Sequence, residues 1–262
     1  MNLKIITIAS FLVISVTAIC QSTDESNKTD QQGKKQGHWI KKYPNGLVQY
    51  EGTFKDDHPV GEFKRYYEDH HLKSVLTYSI DGTEVSAIMY HPNGYISSQG
   101  KYINQMKEGK WKFFSSSVNG YLIQDEEYLK NLRNGLSLKF FPDSTLAERV
   151  NYLNDLREGE WLQYFESGKP FLRSFYTAGM LNGKFEVWFE NGKTEYNGSY
   201  KNNLRDGKWQ IFNDDGTLKY ELDYVGGVAK DNQMEKESSE LLDKLESTQG
   251  KIPDPEKTGT IR

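Results

Sequence analysis

The stretch Tyr196-Asn197-Gly198-Ser199-Tyr200 is followed by six residues, Lys201 to Asp206, and then by Gly207-Lys208-Trp209. The same form stands near the other end of the chain, as Tyr50-Glu51-Gly52-Thr53-Phe54 with Gly61-Glu62-Phe63. A frame opened at Gly37 and stepped by 24 residues places unit starts at Gly37, Gly61, Val85 and Gly109, and after one two-residue insertion at Gly135, Gly159, Gly183 and Gly207. Two positions beyond each start stand Trp39, Phe63, Ala87, Trp111, Ser137, Trp161, Phe185 and Trp209. Seventeen positions on, or nineteen across the insertion, stand Phe54, Tyr78, Tyr102, Tyr128, Tyr152, Tyr176, Tyr200 and Tyr224. Self-similarity at a fixed period is the signature of a repeat architecture, in which each unit buries its apolar face only against its neighbours.

Between the two aromatic columns lies a turn signal: Asn45-Gly46, Asn93-Gly94, Asn119-Gly120, Ser167-Gly168, Asn191-Gly192 and Asp215-Gly216. Such dipeptides accept the positive φ of hairpin turns, so each unit reads as a β-hairpin. The insertion falls in Ser115-Ser116-Ser117-Val118, just before one of these turns, where a longer loop adds little entropy. Polar links such as Lys55 to Val60, Leu153 to Glu158 and Lys201 to Asp206 then return the chain to the next hairpin. The expectation is an all-β, elongated antiparallel meander of about eight hairpins, with some 16 strands at roughly 4.8 Å each spanning about 75 Å. Val85, Ala87 and Ser137 break the glycine-x-aromatic element, and His70 and Ser144 replace a turn glycine. Those units are expected to pack or turn less regularly.

The pattern Tyr-x-Gly-x-aromatic followed by Gly-x-aromatic resembles the MORN repeat. The longer Gly-x-Trp-x-x-aromatic form looks most like the bacterial variant found in the YwqK-type antitoxin family. The resemblance runs from about Gly37 to Tyr224. It implies a meander of hairpins and a role in protein or membrane association, without one shared biochemical activity, since a fold does not fix a function.

Hydrophobic residues make up 36% of the chain and aromatics 13%, so large rings must do most of the packing. By the rule that recurrent apolar positions face inward, the two aromatic columns are core, with Gly37, Trp39, Gly61, Phe63, Gly109, Trp111, Gly159, Trp161, Gly183, Phe185, Gly207 and Trp209 as structural repeat positions. The paired rings Phe140-Phe141, Tyr164-Phe165 and Trp188-Phe189 differ, because successive strand residues point to opposite faces. One ring of each pair is then available for a ligand or a second layer, and these six are the expected binding surface. The net charge of -4 supplies no field for nucleic acid. The five histidines, His38, His58, His70, His71 and His91, lack zinc-ligand spacing and are read as exposed turn residues, with His58, His70 and His71 in loops. No cofactor, metal or catalytic constellation is expected.

At the N-terminus, Lys4 precedes an almost wholly apolar run from Ile5 to Ala18, the form of a secretory signal at residues 1–20. Cleavage after Cys20 leaves the mature chain without cysteine; acylation of Cys20 in a degraded lipobox is the alternative. Residues 21–36 read as a flexible polar leader, 37–230 as the repeat domain, and 249–262, with Pro253 and Pro255, as a disordered tail. In residues 231–248, Met234, Leu241, Leu242 and Leu245 recur at helical spacing, which predicts an amphipathic helix that caps the sheet or binds a partner. The functional expectation is an exported, non-catalytic scaffold for a protein partner. A glycan or membrane surface is a possible ligand, and a lipid-anchored protein, an antitoxin-like inhibitor and an envelope hydrolase are the alternatives.

Overall fold

The computed structural model describes residues 26–230; the signal, the C-terminal helix and the tail expected from the sequence lie outside them. Among the described residues, every strand pairs antiparallel with its neighbours in chain order, giving an open meander. Sixteen long rungs match the expected count: two of the twenty strands are the first halves of rungs interrupted at Asn182 and Asp206, and Lys28–Thr29 and Val228–Ala229 flank the two ends. The first long strand, Lys35–Lys42, begins inside the stretch read as leader, and Lys28–Thr29 pairs with it.

The two ends of each hairpin are closed differently. At the Asn-Gly end a three-residue loop closes the strands. Tyr43 N–H donates to Leu47 O at 2.8 Å and Gly46 N–H to Tyr43 O at 2.9 Å. The asparagine is not left-handed; its Oδ1 accepts from Leu47 N–H at 3.0 Å and fixes the loop. Only the last loop residue takes positive φ, and there His70 (71°) and Ser144 (72°) hold the same geometry as the glycines. These two turns are thus as regular as the rest, at the steric expense of a Cβ in the left-handed region. The insertion lengthens one such loop, with Ser115 N–H reaching Tyr121 O at 2.9 Å.

The six-residue links are not loops. Each is a two-residue turn with both φ positive, as at Asn154-Asp155 (51°, 67°) and Asn202-Asn203 (52°, 66°), followed directly by strand. His58, expected in a loop, opens the strand His58–Tyr66. These are the turns whose twist matches that of the flanking strands. The strand then runs into the unit start, where the register jumps by two residues: Tyr200 pairs with Arg205 but Tyr196 with Ile211. Gly207 sits in that bulge at φ 73°. Val85 is the exception that explains the column. A β-branched residue cannot take positive φ cheaply, and across Ser74–Tyr78 and Val85–Met89 the register runs without a jump. The residues that would form the bulge go instead into a longer connection, closed by Ser79 N–H to Glu84 O at 2.9 Å.

The ring columns are the core. Trp111, Trp161, Phe185 and Trp209 are almost wholly buried, as are Ala87 and Ser137, and Trp39 at the open end is half-buried. Phe63, Trp111 and Trp209 each take a glycine seat on the preceding strand, fifteen positions after that unit's start. A Cβ on Gly52, Gly100 or Gly198 would run into the ring of Phe63, Trp111 or Trp209. Where the ring is missing the seat is filled: Leu76 pairs with Ala87, and Glu126 with Ser137. Volume is thus exchanged across these five unit boundaries, as close packing requires, whereas at a sixth Trp161 lies opposite Val150 and both are buried.

Candidate binding surface

The six aromatic residues expected to bind all lie at the three-residue-loop edge of units five to seven, and all are half-buried. Their surroundings follow from what the same column does in earlier units. Six positions after the start, Tyr43 Oη donates to Tyr66 O of the next unit at 2.8 Å, Tyr67 Oη to Tyr90 O at 2.8 Å, and His91 Nε2 lies 3.0 Å from Phe114 O. The side chain therefore reaches along the edge and staples one hairpin to the next. His91, read from sequence as an exposed turn residue, is buried in this role.

In units five to seven the column becomes Phe141, Phe165 and Phe189, which have no hydroxyl to donate. Other groups bridge the loops there: Lys169 Nζ donates to Glu190 O at 2.8 Å, Asn191 Nδ2 to Asp214 O at 2.9 Å, and Lys193 Nζ to Asp215 O at 2.6 Å. Phe165 packs edge-on against Phe171, with ring centres 5.1 Å apart. Phe140 accepts at its carbonyl from Tyr121 Oη at 2.7 Å. The result is a row of half-exposed rings whose polar stapling is left to the loop tips, where Asn45 Nδ2 donating to Glu68 O at 3.0 Å and Asn93 Nδ2 to Ser116 O at 2.7 Å already bridge the earlier units.

Two arrangements were not found in the sequence. The first is a column of cations two positions before the start, in the supposed links. Lys35 Nζ lies 4.8 Å from the ring centres of both Trp39 and Phe54, Lys107 Nζ 5.1 Å from that of Trp111, and the guanidiniums of Arg157 and Arg205 5.6 and 5.8 Å from those of Trp161 and Trp209. Each such stack contributes about 0.5–1 kcal/mol where exposed and more when desolvated. Burial opposes the charge of Arg157, but Tyr176, whose hydroxyl accepts from Nη1 at 2.8 Å, and Tyr152 hold its pKa above the ordinary value. The 24-residue spacing of these cations was the available signal.

The second is a buried polar seam. Lys139 Nζ lies 3.1 Å from Glu148 Oε1, and Gln163 donates to Glu148 Oε2 at 2.9 Å. Beside them Tyr128 Oη donates to Glu126 at 2.6 Å, with Gln124 and Ser137 also bonded to Glu126. Burial alone would push the Glu148 carboxyl up; Lys139 and the Gln163 amide outweigh it and hold it below the usual carboxylate range. The seam separates an apolar cluster running from Phe54 to Tyr128 from a second running from Val150 to Ala229. Among the described residues, no three His, Cys, Asp or Glu side chains converge as metal ligands.

Fold and surface together define the class: an open array of stacked hairpins with an aromatic core on one face and a graded, ring-bearing edge. Residues 35–56, 157–178, 181–202 and 205–225 match the model of the MORN repeat variant, so the chain carries MORN-type repeats at these four places. The matched segments open two positions before a unit start, at Lys35, Arg157, Leu181 and Arg205, and the unmatched middle holds the Val85 unit, the insertion and both buried glutamates of the polar seam. No curated protein matches the chain.

Proposed function

We propose that the chain is an exported, non-catalytic scaffold that binds a protein or cell-envelope component along its sheet, with Phe140, Phe141, Tyr164, Phe165, Trp188 and Phe189 as the contact row. The observation that carries this reading is the change of the stapling column from Tyr and His to Phe at 141, 165 and 189 while the rings stay half-exposed. A column needed only to join hairpins has no use for that change, whereas aromatic anchors with a polar rim are the usual makings of a binding patch. The finer likeness to the YwqK-type antitoxins would make the partner a toxin; the leader at residues 1–20 favours an envelope component. Export is tested by mass spectrometry of the mature N-terminus, which distinguishes Gln21 from an acylated Cys20. The contact row is tested by capture from envelope fractions. Replacing Tyr164, Phe165, Trp188 and Phe189 with Ser, in a variant whose far-ultraviolet spectrum is unchanged, abolishes capture; retention of the same partner would eliminate the row.

A further inference from the structure

The opposite edge, made by the two-residue turns, carries an aliphatic line. Leu153 pairs with Leu156 across its turn, Val225 with Val228, and Met180 and Leu204 hold the same position between them. Leu153 is 54% exposed, Leu156 50%, Leu204 50% and Val228 63%. Successive turns meet along the line at two places: Leu156 Cδ2 stands 3.2 Å from the place a Cβ would take on Gly179, and Leu204 Cδ2 3.2 Å from the same place on Gly227. Scattered aliphatics on a surface need no partner, but a contiguous exposed stripe marks an interaction site.

Charge narrows the occupant. From residue 129 onward the turn segments expose three cations, Lys130, Lys201 and Lys230, against one exposed acid, Asp155, while Arg133, Arg157 and Arg205 are half-buried on the rings, in a chain of net charge -4. A second copy would bring the same cations edge to edge and be repelled. An acidic, amphipathic partner fits, and the chain contains one. Residues 231–248 follow Lys230, two positions beyond Val228, and hold six acids against two lysines. As a helix, Met234 and Leu245 would stand about 16 Å apart. The stripe from Val228 back to Met180 covers two unit steps of two strands each, about 19 Å. We propose that residues 231–248 lie along the two-residue-turn edge as a strap, with Met234 at Val228, Leu241 and Leu242 at Leu204, and Leu245 at Met180. The strap is independent of the aromatic row on the other edge.

Photo-cross-linking in the full-length chain tests this, with benzoylphenylalanine in place of Leu204 and, as an off-stripe control, of Ile80, which is 94% exposed. The expected product from position 204 joins residues 231–248 of the same chain, at a yield unchanged by about tenfold dilution because the contact is intramolecular. The control position gives no such product. Replacing Leu241 and Leu245 with Asp in the cross-linker-bearing chain removes it, and in the otherwise unaltered chain speeds proteolysis within 231–248 by about tenfold, since cleavage follows the open population. Cross-links to a second copy, cross-links to other segments, protection that arises only with phosphatidylglycerol vesicles, or no cross-link at all would each overturn the strap.

Discussion

Glu148 joins the two halves of the core through charge rather than through rings. Its partner Lys139 has a side chain only 13% exposed, so Glu148→Ala leaves a desolvated ammonium without its counter-ion. Breaking such a pair destabilises by about 3–5 kcal/mol, and urea titration should show a loss of that order. A double change, Glu148→Leu with Lys139→Met, should recover most of it, because no charge is then stranded. The pH dependence has a definite sign. A carboxyl held low in the folded state contributes stability above its unfolded value and loses it as pH falls through the folded one. Acid titration from neutrality through the carboxylate range should therefore erode the native protein more steeply than Glu148→Gln. Equal slopes would remove Glu148 from the account. The acid and its lysine were visible in the sequence only as residues of a polar stretch, because the pattern that announces a core position is apolar.

The hairpins themselves were legible from end to end: the 24-residue step, the loop insertion and the inward columns follow from glycine and ring spacing. The closures were less so. The Asn-Gly dipeptides marked hairpin ends correctly, but the tight turns sit at the other end, on pairs such as Lys130-Asn131 and Asn154-Asp155, which composition does not distinguish from polar linker. The inter-unit stapling by Tyr43, Tyr67 and His91 was hidden for a different reason, since a contact 23 residues away exists only once the units are stacked. The unit-start bulge gives a paired prediction. Gly207→Val forces a β-branched residue toward a left-handed conformation that costs about 1–2 kcal/mol even for an ordinary side chain, and should lower the thermal midpoint. Gly207→Asn, an exchange for a residue that enters the left-handed region more readily, should cost less. If the two substitutions prove equally harmful, the glycine column has another cause.

Across the whole molecule, the polar seam leaves unequal partners. The cluster from Val150 to Ala229 contains the completely buried Leu172, Phe185, Val187 and Trp209, whereas the N-terminal cluster is edged by half-buried Trp39, Tyr50, Tyr78 and Tyr102. Arrays of nearest-neighbour units need not unfold as one. Amide exchange should find the strands from Leu156 to Val225 protected longest and those from Lys35 to Tyr78 opening first. Uniform protection would mean that the seam transmits cooperativity as well as rings do.

The exchange of volume between ring and seat bears on how such an array can be edited. The ring belongs to one unit and the hollow that receives it to the unit before, so the indivisible part straddles the boundary drawn at each glycine. A hairpin transplanted between arrays by cutting at Gly207 would carry Trp209 away from Gly198. Cutting at the three-residue loops, between Asn191 and Gly192 for example, keeps them together. Inheritance by duplication faces the same constraint: a copy made in loop-to-loop frame arrives with each ring already matched to its recess, and a copy made in glycine frame must find its match in a stranger.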